Sequence, residues 1–364
     1  MKRNIITFAD AEIKMRLLKS NHTLFRIEKI VDWNSINKIL LETDYRLHNN
    51  SGRDNYDPTM MFRILLVQRI YDLADRQIEN ELMYNLAYIQ FCGLSIDHPI
   101  PDHSTISRWR QRFIDFGIYQ DLFDDFNRQL VAQGYNIAKG VIVDATLVEA
   151  YSRPNQKTLI DVEPTGDAEL KEQDLITTDK LTKTTTVTKT ESTSNDPDAK
   201  WIKKGKRSIY GYKFHAAVNT DGLFLACETT PANVYDGNMF ESLLDNVVQS
   251  KAYTENTEKQ QSSHRRTVVL GDKGYDSEKN RNYLKDINLS DGIMRKKPKQ
   301  ADFSETQRAR NKTISKIRYK VERSFGLLKR KFKNHKTKYI GQKKTHNYNL
   351  LGAFAHNLIR CLSL

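Results

Sequence analysis

The chain has 364 residues and a formal net charge of +13, and it is long enough to bury a core without covalent staples. Its three cysteines, Cys92, Cys227 and Cys361, are odd in number and far apart, which excludes a paired-cysteine zinc site and fits a reducing cytoplasm. No apolar run approaches the roughly 20 residues that span a bilayer, and Met1–Asp10 holds no apolar signal region, so no membrane partner is expected.

Residues 1 to about 130 read as helical. Asp57-Pro58 is a helix start signal: a side-chain cap followed by proline at the first helical position. After it, Met60, Ile64, Val67, Tyr71 and Ala74 recur at four-three spacing, which predicts one buried face. A second helix is predicted from Asp75, read as its cap, with Ile78 and Leu82 inward. A proline-marked loop spans Gly93–Asp102, and His103–Phe113 then resembles the second helix of a helix-turn-helix. In that helix Ile106, Trp109 and Phe113 would pack inward, while Arg108, Arg110 and Arg112 are candidates to reach phosphates or guanine.

From about residue 138 short β-type runs take over. Val141–Ala145 is apolar on both faces, as in the centre of a covered sheet. Tyr210–Asn219, a turn at Asn219–Gly222 and Leu223–Thr229 predict a β-hairpin. A helix over Asn238–Ser250 and a strand over Thr267–Leu270 follow. Strand, hairpin, helix, strand and helices in this order predict an α/β fold: an RNase H-like mixed sheet flanked by helices, preceded by an all-α domain over 1–130. The sheet domain would span 138–364, with a flexible Thr-rich insertion at about 161–198. Nine of the 17 residues from Thr177 to Thr193 are threonine, too few large apolar groups to offset the entropy of ordering.

Three carboxylates stand in unlike settings. Asp144 closes the run Gly140-Val-Ile-Val-Asp144, and Asp272 closes Val268-Val-Leu-Gly-Asp272. If those strands are neighbours, the two acids lie side by side at the crevice where open α/β sheets take ligands. Glu322 lies in a helical stretch whose packing face is Ile314, Ile317, Val321, Phe325, Leu328 and Phe332. Arg318 and Lys329, four residues before it and seven after, share a stripe with it. From Arg295 to Lys344 there are 19 Lys or Arg against three acids, a block suited to neutralising phosphates. Hard oxygen donors suit divalent ions such as Mg²⁺, and a pair of such ions serves phosphoryl transfer. Lys273 and Tyr275 are candidate DNA contacts, and His215 could face the site. Glu149, Asp236 and Asp276 are nearby acids that nothing in the sequence forces to bind metal. Each acid also has a plain reading: Asp144 as a turn cap, Asp272 as a turn starter, Glu322 as an ion-pair partner of Arg318.

Arg318-x3-Glu322-x6-Lys329, Asp144 and Leu270-Gly-Asp272-Lys-Gly-Tyr275-Asp together resemble bacterial insertion-sequence DDE transposases of the IS-five group. Asp196-Pro-Asp-Ala-Lys-Trp201, Tyr210-Gly-Tyr-Lys and Thr230-Pro-Ala-Asn-Val-Tyr-Asp236 resemble them too. Tyr56-Asp-Pro58 through Asp102-His-Ser-Thr-Ile-Ser-Arg108 resembles the InsH-type N-terminal domain of the same proteins. One departure is Ser315, where the family often has tyrosine three residues before the arginine. The resemblance implies a DNA transposase that cleaves element ends and transfers 3′-hydroxyl ends into target DNA. It implies Asp144, Asp272 and Glu322 as catalytic metal ligands, two Mg²⁺ ions with Mn²⁺ as a substitute, and Arg318 and Lys329 on DNA. The implied partners are DNA, as terminal inverted repeats and target, and a second copy of the chain when bound to DNA. The implied location is the cytoplasm, on the nucleoid. A competing expectation is a retired transposase that acts as a sequence-specific DNA-binding regulator.

Overall fold

The structure is a computed structural model and describes residues 8–47, 56–95, 99–163, 185–193, 195–259, 266–297 and 302–364. Helices come first: α1 (Phe8–Lys19), α2 (Thr23–Ile30), α3 (Trp33–Leu47), α4 (Pro58–Tyr71), α5 (Asp75–Tyr84), α6 (Leu86–Cys92), α7 (His103–Asp115) and α8 (Ile118–Ala132). Asp57 caps α4 by accepting from Thr59 N at 2.8 Å, with Pro58 in the first turn. Burial wraps α4 rather than one face, because Met61, Phe62, Leu65 and Leu66 are as enclosed as Met60, Ile64 and Val67. The helix stops at Tyr71, so Ala74 lies beyond it. Asp75 is not the cap of α5: Ala74 holds that position, with Gln77 folding back on its backbone N–H. The Asp75 carboxylate serves a different end, pairing with Arg110 of α7.

The remaining elements are β1 (Gly140–Glu149), β2 (Asn155–Glu163), β3 (Thr185–Thr193), β4 (Lys200–Lys204), β5 (Arg207–Asn219), β6 (Phe224–Pro231), α9 (Phe240–Val248), α10 (Lys251–Lys259), β7 (Val268–Gly271), α11 (Glu278–Asp286), β8 (Ser290–Ile293), α12 (Glu305–Lys331) and α13 (Gln342–Cys361). The main sheet runs β4-β5-β1-β7-β8, with β6 also paired to β5. Strand β1 is antiparallel to β5 and parallel to β7, and β7 is parallel to β8. This is the RNase H-like mixed sheet flanked by helices and preceded by a helical region. Among the described residues, no helix is long and apolar enough to cross a membrane.

The Thr-rich insertion lies largely outside the described residues, at 164–184 and 194. Its described flanks are not a loose loop. Strands β2 and β3 pair antiparallel, with Asn155 opposite Thr193 and Glu163 opposite Thr185. Stiff β-branched threonines favour extended backbone, and pairing satisfies the hydrogen bonds of that backbone. Past it, Asp196 is fully buried, accepting from the Tyr212 hydroxyl at 2.5 Å and from Gly341 N at 3.2 Å. The Asp196-Pro-Asp motif therefore ties β5 to the start of α13.

Residue alternation on β1 divides the core. Val141 and Val143 face Phe240, Leu243, Leu244 and Val247 of α9. Ile142 and Val148 face α12 and α13, in a core continuous with the N-terminal helices. Helix α13 is the slab between the two regions. Its Phe354 meets Phe62 of α4 at 5.7 Å and Phe126 of α8 at 5.0 Å, while His356 packs edge-on to Phe224 of β6 at 4.9 Å. Asn357 accepts from Phe224 N and donates to Phe224 O, each at 2.8 Å, which fixes the start of β6 to α13.

Burial pushes His356 down to about 4 from its ordinary 6.5. The folded state holds the neutral ring, so its stability is fully present above pH 6.5 and is lost as pH falls toward 4. His356→Phe is expected to flatten that acid limb by up to about 1.4 kcal/mol per pH unit. Urea midpoints measured across the window check this. An unchanged slope contradicts it.

Candidate active site

Strands β1 and β7 set the position of two acids. Their parallel register pairs Val143 with Gly271, so the next residues, Asp144 and Asp272, emerge side by side toward α12. Asp144 is not at a strand end, since β1 continues to Glu149, held by β5 from Asp144↔Ala216 to Glu149↔Gly211. What ends there is β7. Farther along, the β1 backbone is met again by the C-terminal segment: Glu149 N donates to His335 O at 2.9 Å and Thr337 N to Glu149 O at 2.8 Å. Between these pairings lies a window on β1 that begins at Asp144.

Asp272 leaves β7 and starts a tight turn, accepting from Gly274 N at 2.7 Å. The turn sends Tyr275 back into the core, 1% exposed and 5.6 Å from Phe240. Tyr275 is therefore a packing residue, and its expected contact with DNA is corrected. Its hydroxyl is pushed far up, by burial first and then by Asp144, Asp236 and Asp272 around it. Lys273 is exposed, with its ammonium 5.6 Å from the Phe303 ring.

Helix α12 supplies the other groups. It starts with a capping box, in which Ser304 Oγ accepts from Gln307 N and the Gln307 side chain accepts from Ser304 N, both at 3.2 Å. Ile314, Val321, Phe325 and Leu328 face the sheet. One edge of that stripe carries Arg318 and Glu322. Arg318 Nη1 donates to Asp144 Oδ2 at 2.5 Å, and its Nη2 donates to Glu322 Oε1. The guanidinium thus bridges a strand acid and a helix acid. Glu322 remains 49% exposed, facing outward beside the bridge.

Burial pushes the Asp144 carboxyl up to about 6, against the pull of Arg318 and the Ala145 N–H, and Asp272 and Glu322 push it the same way. Three carboxylates therefore act on one centre, with a single guanidinium among them. Their donors are all hard oxygens, the chemistry that suits Mg²⁺ or Mn²⁺. Among the described residues, no three His, Cys, Asp or Glu side chains stand close enough to grip one ion as they are placed. Arg318 takes the space between Asp144 and Glu322 instead. The acid set fits a divalent cation in charge and donor type, once the guanidinium turns aside.

The other expected contacts divide. On α7, Arg108 is exposed, and Arg112 lies over the Trp109 ring at 5.2 Å. Arg110 points inward and is corrected: it is 8% exposed, paired with Asp75, and donates to Gln68 Oε1 at 3.0 Å. It lies four residues after Ile106 and three before Phe113, on the same buried stripe. Asp276 is held by Arg281 at 2.7 Å, and Asp236 by Lys213 at 2.8 Å. His215 is enclosed, its Nε2 2.8 Å from Thr230 Oγ1, so it does not face the acids. Lys204 and Lys213 line a groove beside Asp144 and were not singled out, although Lys203-Lys204-Gly205-Lys206-Arg207 is a visible cationic turn signal.

Residues 136–358 match the family Transposase DDE domain, and residues 12–112 match Transposase domain (DUF772). A relative, the transposase for insertion sequence element IS1106 of Neisseria meningitidis serogroup B, is 32% identical over 255 residues, covering 70% of this chain and 76% of that one. Two solved structures are loosely similar. The Mos1 mariner paired end complex with Mn has a TM-score of 0.23 and 10% identity, covering 87% of this chain and 92% of that one. A pre-cleavage Mos1 transpososome has a TM-score of 0.22 and 9% identity, covering 76% and 81%. By the extent of the domain match and the identity to the IS1106 protein, the chain belongs to the DDE transposase family.

Proposed function

We propose that this chain is a metal-dependent DNA nuclease and strand transferase that cuts its element's ends and joins the 3′-hydroxyl ends to target DNA. The observation that carries the reading is the β1–β7 register, which sets Asp144 beside Asp272, with Glu322 tied to them through Arg318. Asp144, Asp272 and Glu322 would hold the divalent ions. When bound, such ions polarise the scissile phosphate and lower the pKa of the attacking water or hydroxyl. The chain's own groups do the rest. Arg318 offsets repulsion among the acids in the free protein and is placed to meet a phosphate oxygen when DNA arrives. Asp144, enclosed on the sheet, keeps its carboxylate in one direction, and the turn at Asp272 does the same for its partner.

DNA is the proposed substrate because the outward face of α12 carries exposed Lys316, Lys320, Arg323 and Arg330 beside the acids. Affinity for DNA is expected to fall about 10³-fold between roughly 50 and 200 mM salt. Filter binding over that range checks it, and a change below about tenfold contradicts the basic face. Two copies on a DNA pair of ends, and the terminal inverted repeats as the sequence bound, belong to the same proposal. The direct test is incubation of the chain with duplexes carrying the DNA that flanks its gene. Mg²⁺-dependent 3′-hydroxyl ends and joined products are expected. Binding without cutting in Mg²⁺ or Mn²⁺ would instead favour a regulator.

A further inference from the structure

Strands β4 and β5 turn through Lys203-Lys204-Gly205-Lys206-Arg207, four cations about a glycine whose φ of 62° makes the reversal easy. All four side chains are exposed, and none has an ion-pair partner among the described residues. A groove of about 210 Å³ opens beside this hairpin, lined by Ala145–Leu147 of β1, Ile202, Lys203 and Lys204 of β4, and Lys213 and Asp236. It begins one residue from Asp144. Lys213 is fixed at its base, paired with Asp236 at 2.8 Å and donating to Val234 O at 2.6 Å. Lys329 of α12 lies within electrostatic reach of Lys204. Burial, and then repulsion from Lys204, pushes the Lys329 ammonium down. Lysines from two strands, β4 and β5, thus line one groove, and Lys203 and Lys204 have no carboxylate paired to them among the described residues. Such an arrangement disfavours the free protein and is relieved by an anion lying between them.

We propose that this groove is a phosphate-binding subsite, seating a phosphodiester of the DNA strand that runs through the reaction centre. Lys203 and Lys204 are its contacts, with Lys213 at its base. A strand is the occupant because the groove continues the β1 window that starts at Asp144, so a chain of phosphates can pass from the acids to the hairpin. The inference rests on the reading of Asp144 as part of the reaction centre.

The test uses the full chain carrying Asp144→Asn, so that binding is measured without cutting. The probe is a forked DNA duplex of arbitrary sequence with one single-stranded arm. Adding Lys203→Ala and Lys204→Ala is expected to weaken binding about tenfold and to reduce the log–log salt slope by about two, one unit per phosphate lost. Lys203→Arg with Lys204→Arg is expected to restore both. Lys14→Ala with Lys19→Ala, an equal loss of charge on α1, is expected to cost clearly less. The proposal is overturned if the double alanine variant binds with its parent's affinity and slope, or loses no more than the α1 control. If the Asp144→Asn parent binds no DNA, the groove and the DNA reading fall together. If it binds and only the hairpin variant weakens while the wild-type chain never cuts, the groove stands and the cleavage reading falls.

Discussion

Exchange of Asp144 for asparagine is expected to lower DNA cleavage by about 10³-fold or more while the fold stays intact, as for a group that acts within one catalytic unit. The side chains are isosteric, and asparagine keeps an oxygen for the Ala145 N–H, now accepted by Asp144 Oδ1 at 2.8 Å. Stability should change little. The Asp144 charge is disfavoured by burial, and Arg318 retains Glu322 when Asp144 is neutralised. What is lost is one of three negative oxygen donors. Single-turnover cleavage of end DNA in Mg²⁺ measures the effect, with thermal melting as the control for folding. A variant that melts normally and cuts within about tenfold of wild type would remove Asp144 from the reaction.

Arg69→Leu should have the largest effect on stability, about 3 kcal/mol. Arg69 leaves α4 and passes through the core to the end of α12, donating to Phe332 O at 2.5 Å, Asn334 Oδ1 at 2.6 Å and Tyr348 O at 3.3 Å. Its guanidinium lies 4.0 Å from the Tyr348 ring centroid. A Cβ at Gly352 would stand 2.5 Å from Arg69 Nη2, so the glycine in α13 is what lets the arginine through. Leucine removes a costly buried charge but takes the Arg69 donor from the enclosed Phe332 O and Asn334 Oδ1, while Tyr348 O keeps its partner within α13, and the loss of those donors is the larger effect. Urea denaturation measures the loss, and a change below about 1 kcal/mol would contradict it. Because Arg69 joins the helical region to the end of α12, the same variant should loosen the helix that carries Glu322.

The two apolar runs ending in aspartate made the central pair of strands legible, since a covered parallel pair needs both faces apolar. Their register was not written in the sequence. It is the pairing of Val143 with Gly271 that sets Asp144 beside Asp272. The buried stripe of α12 was readable from Ile314 to Phe332, and with it the placing of Arg318 beside Glu322. That Arg318 would also reach Asp144 needed the packing of helix on sheet. Arg110 was misread although its spacing from Ile106 and Phe113 placed it inward. A charged side chain was assumed to face solvent, and Asp75 supplies the partner that makes burial tolerable. Tyr275 was misread because a tight turn after Asp272 reverses the side chain that follows. The threonine run was read for its lack of core residues, whereas its β-branched side chains favour the ribbon formed by β2 and β3.

The central claim is that Asp144, Asp272 and Glu322 together hold divalent metal for chemistry on DNA. Mn²⁺ binding to the DNA-bound chain, followed by electron paramagnetic resonance, tests it most directly. Wild type should take up Mn²⁺, and Asp272→Asn, with normal melting and normal DNA affinity, should lose that uptake. Equal Mn²⁺ uptake by wild type and by a variant with all three acids replaced by their amides would contradict the account.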